Sequence, residues 1–176
     1  MAPALPTTAA AMAAATTTAG ALAWQWSAFD ELRAADVYAL LSLRQEVFVV
    51  EQQCIFPDID WHDQNAHHLL GWQSDAAAPD GRRLAAYLRC LPPGEKFAEC
   101  SIGRVVTSPA ARGTGLGRLL VAQGLARLEG LYPGQPARIG AQLHLERFYG
   151  SFGFVAASAP YDEDNIMHVE MLRPAR

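Results

Sequence analysis

Residues 103–120 read Gly-Arg-Val-Val-Thr-Ser-Pro-Ala-Ala-Arg-Gly-Thr-Gly-Leu-Gly-Arg-Leu-Leu. The first five close an apolar, β-branched run over 100–107 that predicts a largely buried strand. A loop over 108–113 follows. The spacing of Leu116, Leu119, Leu120 and Leu128 then predicts a helix that opens at the glycines. Strand, glycine-rich turn and helix start, in that order, let a ligand approach bare backbone N–H groups where the helix dipole adds partial positive charge. Such a turn suits a phosphate or another anion, unless its glycines serve only to bend the chain. A nucleoside-triphosphate loop is excluded because no Gly-Lys-[Ser/Thr] follows. The dinucleotide pattern fits poorly, because the residue three after Gly115 is Arg118 and no acidic residue ends the next strand to hold a ribose.

Upstream, Val37, Leu40, Leu41, Val47 and Phe48 follow helical spacing, with Asp36 as the expected N-cap. Strands are expected at 68–72 and 84–91, joined as a hairpin through the turn-rich 74–81, before Pro92-Pro93-Gly94 breaks the chain. Downstream, 137–142 reads as a strand, 143–151 as a helix, and 154–157 and 166–172 as strands. The order αβββαβαββ predicts an α+β domain with a mixed sheet.

The composition agrees with one such domain. The 176 residues carry 14 Lys plus Arg against 18 Asp plus Glu, a net charge of −4, with 51% apolar residues. That balance supports a core and lacks the basic excess of a nucleic-acid or anionic-membrane binder, so neither is expected as a partner. Cys54, Cys90 and Cys100 are odd in number and form no Cys-x-x-Cys pair, which points to a reducing, cytoplasmic setting rather than a disulfide framework. Residues 1–23 hold 11 Ala and 5 Thr and no charge; they are expected to be a disordered tail, with the domain spanning 24–176. Asp58, Asp60, His62, Asp63, His67 and His68 are rich in ligand types, but an EF-hand loop would want Gly where Asp63 stands, and no metal is expected.

Arg112-x-x-Gly115-x-Gly117 resembles the Arg/Gln-x-x-Gly-x-Gly/Ala acyl-CoA motif of the GNAT N-acetyltransferases, in the same strand-to-helix setting. About thirty residues on, Glu146-Arg147-Phe148-Tyr149-Gly150-Ser151-Phe152-Gly153-Phe154 resembles that family's second motif. Further text is similar to the ElaA-like subgroup: Leu43-Arg44-Gln45-Glu46-Val47-Phe48-Val49-Val50-Glu51-Gln52, Asp58-Ile59-Asp60, His68-Leu69-Leu70-Gly71-Trp72, Gly140-Ala141-Gln142 and Tyr161-Asp162-Glu163-Asp164-Asn165-Ile166-Met167-His168. The resemblance covers about 24–173 and departs at Asn165, where Gly is expected in a turn.

The resemblance implies a mixed, mostly antiparallel central sheet flanked by helices, and direct transfer of the acetyl group of acetyl-CoA to a primary amine on a small molecule or peptide, with no metal. Backbone at Val105 and Val106 would hold the pantetheine. Arg112, Gly113, Thr114, Gly115, Leu116, Gly117 and Arg118 would hold the pyrophosphate, and Tyr149 would protonate the departing thiolate. A thiol near pKa ~8.5 is a fair leaving group, whereas an amine near ~10.4 must shed a proton at ~4.6 kcal/mol at pH 7, so the base matters more than the acid. Glu51 and His144 lead the candidates, with His168, Asp58, Asp60 and Asp63 behind them. The acids Glu51, Asp58, Asp60, Asp63, Asp162, Glu163 and Asp164 suggest a negative acceptor cleft. A homodimer is compatible with all of this. Two alternatives stand: an acyl-CoA sensor without turnover, and an acyl-homoserine-lactone synthase, whose N-terminal signature Leu43–Glu51 also resembles but whose family would lack the Arg-x-x-Gly-x-Gly turn.

Overall fold

A computed structural model describes residues 22–175. The tail expected over 1–23 lies outside the described residues, apart from Leu22, which packs on the core, and Ala23, which opens the first strand. Strands β1 (Ala23–Ala28), β2 (His67–Ser74), β3 (Arg82–Leu91) and β4 (Ser101–Thr107) form one sheet in that order, every neighbour antiparallel. Strands β5 (Ala137–Gln142), β6 (Val155–Ala156), β7 (Tyr161–Glu163) and β8 (Ile166–Arg173) form a second, ordered β5-β8-β6 with β7 also on β8. The sheets meet at a parallel bridge, Cys100 to Ala137, where the Arg138 N–H donates to the Cys100 carbonyl at 2.9 Å. The result is the expected mixed, mostly antiparallel arrangement.

Helix α1 (Ala34–Arg44) covers one face of the first sheet with Leu40 and Leu43 against Leu70, Tyr87 and Val106. Helix α2 (Leu116–Leu131) covers the other, and its Leu120, Val121, Leu125 and Leu128 share a core with Leu88, Ile102, Ile139 and Met171. Covered on both sides, β3 is buried from Leu84 through Leu91, which is why it reads as an apolar run interrupted at Arg89. The approach of α2 is close enough that a Cβ on Gly124 would lie 2.5 Å from Leu88 Cδ2.

Beyond the Cys100–Ala137 bridge, β4 and β5 part. On β4 the register runs from Gly103, opposite Arg89, to Val106, opposite Tyr87: three steps against two. The extra residue is a bulge, and Arg104 in it adopts φ +52°. The bulge bends β4 away from its straight path and leaves it at the sheet's edge, with outward backbone groups facing the gap.

Several local expectations change. Asp36 is not the N-cap of α1, which is Arg33; the Asp36 carboxylate lies buried and accepts from Arg33 Nη2 (2.7 Å), Arg82 Nη2 (2.6 Å) and Gln25 Nε2 (3.2 Å). The helix continues past Arg44 in π-helical geometry over Gln45–Glu51. The helix expected over 143–151 is a 3-10 turn (Leu143–Leu145) followed by α3 (Glu146–Gly150). Strands β1 and β7 were not expected. At the β7–β8 hairpin Asp164 and Asn165 have φ +57° and +64°, a two-residue turn in which Asn substitutes readily for Gly.

Candidate active site

The gap between β4 and β5 opens into a cavity of about 570 Å³. Its floor is the β4 edge from Ile102 to Thr107, including Val105 and Val106, facing Ile139, Gly140, Ala141 and Gln142 of β5. Its roof is the π-helical segment with Val47, Phe48 and Glu51, and the following loop with Cys54, Phe56 and Asp58. Two contacts tie that loop across the gap: Gln142 Nε2 donates to Gln52 Oε1 at 3.0 Å, and Cys54 Sγ lies 3.8 Å from the Asp164 carbonyl.

Among the lining residues, Arg112 leads into the glycine turn. Gly113 and Gly115 have φ +74° and +83°, which a side chain rarely adopts, and a Cβ on either would meet nothing within 4 Å. The turn is therefore open on its outer side and available to a ligand. The N–H groups of Gly113, Thr114, Gly115, Leu116 and Gly117 have no backbone acceptor among the described residues, and they lie at the start of α2. The Thr114 hydroxyl braces the turn by donating to the Ala111 carbonyl at 2.8 Å. Arg118, one turn into α2, lies 5.0 Å from the Phe152 ring and donates to Ser151 Oγ at 2.8 Å, which fixes a positive charge beside the turn. Arg112 donates through both terminal nitrogens to Glu51, at 2.8 and 2.9 Å.

Tyr149 lines the cavity from α3 and is only 7% exposed; burial raises its phenol to about 12. His144 and His168 also line it. The His168 Nδ1 lies 2.8 Å from the Ile166 carbonyl, an acceptor, so Nδ1 is the donor there and in the neutral tautomer Nε2 is the nitrogen left to accept. The three leading candidates, Tyr149, Glu51 and His144, thus share one cavity with Val105, Val106 and Arg112. Glu51 is not a free base: its hydrogen bonds from Arg112 hold the carboxyl below its ordinary range.

The aspartates are elsewhere engaged. Asp63 accepts from Arg44 Nη1 at 2.9 Å and from Arg89 Nη1 at 2.8 Å; Asp58 faces Arg44 Nε and Arg104 Nε, each at 2.7 Å; Asp60 pairs with Arg89 and Arg104. Arg44 is fully buried. Burial alone would raise Asp60 and Asp63, but these guanidiniums win and hold both well below the usual carboxylate range. The negative cleft expected from Glu51, Asp58, Asp60 and Asp63 is therefore not formed, since each acid faces an arginine. Asp162 turns into its own hairpin, accepting the Asn165 N–H at 3.2 Å; among the described residues that line the cavity, Glu163 and Asp164 are the carboxylates with no arginine partner, and Glu163 lies 3.9 Å from His168 Nδ1.

The same pairing explains the ligand-like cluster at 58–68. His62 meets Glu95 at 2.6 Å, His67 stacks on Trp26, and His68 lies between Tyr87 Oη (2.8 Å) and the Asp63 carbonyl (3.0 Å). Among the described residues no His, Cys, Asp and Glu group of three or more is placed to hold a metal ion. Nor is any helix long and apolar enough to cross a membrane.

Residues 76–173 match the model of the acetyltransferase (GNAT) domain. The chain is 41% identical to protein ElaA of Escherichia coli over 152 residues, spanning 85% of this chain and 95% of that one. The chain belongs to the GNAT acetyltransferase family. Its fold superposes on the crystal structure of an acyl-CoA N-acyltransferase from Pseudomonas aeruginosa with a TM-score of 0.80 and 43% identity, covering 87% of this chain and 99% of that one. For the crystal structure of E. coli ElaA the TM-score is 0.78 at 39% identity, with the same coverage. A CoA-dependent acyl-homoserine lactone synthase shares the fold at 17% identity and TM-score 0.62, covering 81% of this chain and 78% of that one; this is a likeness of fold alone. Within this GNAT chain, sequence reading missed Arg89 and Arg104 as partners of the aspartates. The signal was an arginine inside an otherwise apolar strand, which must find a carboxylate if the strand is buried.

Proposed function

We propose that this protein moves the acetyl group of acetyl-CoA directly to a primary amine. The observation that carries this reading is one cavity lined by the free edge of β4, the Tyr149 phenol and Arg112, the residue that leads into the open glycine turn. Five unpartnered N–H groups, with Arg118 beside them, suit the coenzyme's pyrophosphate. The unpaired edge at Val105 and Val106 suits an extended chain with amide groups, because an edge strand offers a row of donors and acceptors.

Tyr149 faces the departing sulfur. Its raised phenol stays protonated throughout the physiological range, and a donor at about 12 does not give its proton completely to a thiolate whose acid is near ~8.5. Its contribution is a hydrogen bond that strengthens as negative charge grows on sulfur. Removing the proton from the amine falls to an imidazole. We assign it to His168, whose tautomer the Ile166 carbonyl fixes, with His144 lining the same cavity. Glu163 and Asp164 attract the ammonium on approach. With Cys54, Cys90 and Cys100 all unpaired, a reducing cytoplasmic setting suits the chain.

A mass-spectrometric screen of primary amines, hydroxyl compounds and anionic acceptors with acetyl-CoA tests the reading. Acetylation confined to amines is expected. Acetylation of hydroxyls alone, or of none of the acceptors while coenzyme A binds, would overturn it, the second result in favour of a sensor.

A further inference from the structure

The pair between Glu51 and Arg112 spans the cavity. Glu51 ends the π-helical segment in the roof, and Arg112 is the residue that enters the glycine turn, sixty-one positions later. Both terminal nitrogens of the guanidinium face both carboxylate oxygens, at 2.8 and 2.9 Å, so the strong bidentate face of Arg112 is fully used by one anion. The two side chains are roughly equally exposed, at 42% and 43%, so the pair is held by geometry and charge rather than by burial. No other carboxylate lies within ion-pair distance of Arg112 among the described residues.

An anion arriving at the turn therefore meets a carboxylate already seated on the nearest arginine. Resting on the coenzyme reading above, we propose that Glu51 is an internal stand-in for the coenzyme's phosphate: it occupies the fork of Arg112, competes with the phosphates for it, and is released into the cavity when they bind. Three facts support competition over simple scaffolding. The pair is solvent-exposed, so breaking it costs little, on the scale of an ordinary surface ion pair. A phosphate offers the same bidentate geometry with more charge. The Glu51 carboxylate is also held on the residue that enters the turn, so a phosphate reaching for the same guanidinium meets like charge, which repels. Glu51 is thus a positioning residue that sets coenzyme affinity and orders the roof, and its side chain is available to the rest of the cavity only after Arg112 has changed partner.

The test is calorimetric binding of coenzyme A to the full chain and to Glu51→Gln, Arg112→Gln and the double variant. Glu51→Gln keeps the shape and removes the charge, and it should bind coenzyme A about three- to tenfold more tightly than the unaltered protein. In the Arg112→Gln background the same change should have less than half that effect on a logarithmic scale, because the fork being contested is gone. Glu51→Ala should tighten binding in the same direction, which guards against a packing effect of glutamine. Unchanged or weaker binding by Glu51→Gln would overturn the proposal and make the pair a clamp that orients Arg112. Equal tightening in both backgrounds would also overturn it, leaving only diffuse repulsion. If the unaltered protein and all variants fail to bind coenzyme A, the coenzyme reading itself is wrong.

Discussion

Tyr149, Gly115 and His168 each carry one separable part of the proposed chemistry. Tyr149→Phe keeps the packing against Phe148 and Phe154 and removes only the hydroxyl. The kcat should fall by about 10² or less, since thiolate is a fair leaving group, with little change in coenzyme affinity. Steady-state kinetics with calorimetry on the same sample checks both halves. Gly115→Val places a branched side chain at φ +83° on the open side of the turn; the space is free, so the cost falls on backbone geometry and ligand approach rather than on the core. Coenzyme A affinity should collapse in a protein whose circular dichroism is unchanged. His168→Gln should lower kcat/KM for amines at neutral pH and flatten its rise with pH, whereas the same change at His144 should leave the profile's shape intact. The turn was legible in the sequence from its glycine spacing, whereas Tyr149 was legible only through the resemblance of Glu146–Phe154 to the family's second motif. The engagement of Glu51 with Arg112 was not, since nothing in a linear text relates residues sixty-one apart.

At the scale of elements, the arginine–aspartate network holds the roof loop to the β4 bulge. Asp63 sits between Arg44 and Arg89, and Asp58 and Asp60 reach Arg104 at its positive φ. Asp63→Asn would leave two buried guanidiniums under-compensated and should cost about 3–5 kcal/mol in denaturant unfolding. The pH dependence follows from the same groups. Asp60 and Asp63 have depressed folded values, so their stabilisation is present above the unfolded carboxylate range and is lost as pH falls through the lower folded values. Burial likewise depresses His68, so it withdraws stability once pH drops below its unfolded value near ~6.5. Melting temperature should therefore decline gently below about pH 6.5 and steeply below about pH 4. Elsewhere, Gly124→Val should drive α2 from Leu88 at a cost of about 1–3 kcal/mol. The strands with long apolar runs were readable in sequence. Strand β1 was not, because its six residues sit at a composition boundary and acquire their register only from β2.

At the largest scale, residues 22–175 build two antiparallel sheets that touch at Cys100–Ala137 and then diverge, and the divergence makes the cavity. Apart from β1 and β7, the order and class of the elements were evident from hydrophobic period and turn residues. The splay of 100–107 from 137–142 was expected only through the family resemblance, because it depends on a one-residue slip opposite β3 rather than on composition. Since β1 starts at Ala23 and residues 1–21 carry no charged side chain and few large apolar residues, deleting them should leave both the melting temperature and its increase with coenzyme A unchanged. A lower melting temperature in the shortened chain would show that the tract contributes to the fold.

Direct transfer at the splayed edge is tested best by following thiol release from acetyl-CoA in the presence and absence of an amine that the screen identifies. Release should require the amine, match the acetylated product one for one, and rise with pH while the deprotonating group titrates. Release that proceeds equally without the amine, or coenzyme binding with no release under any acceptor, would contradict it.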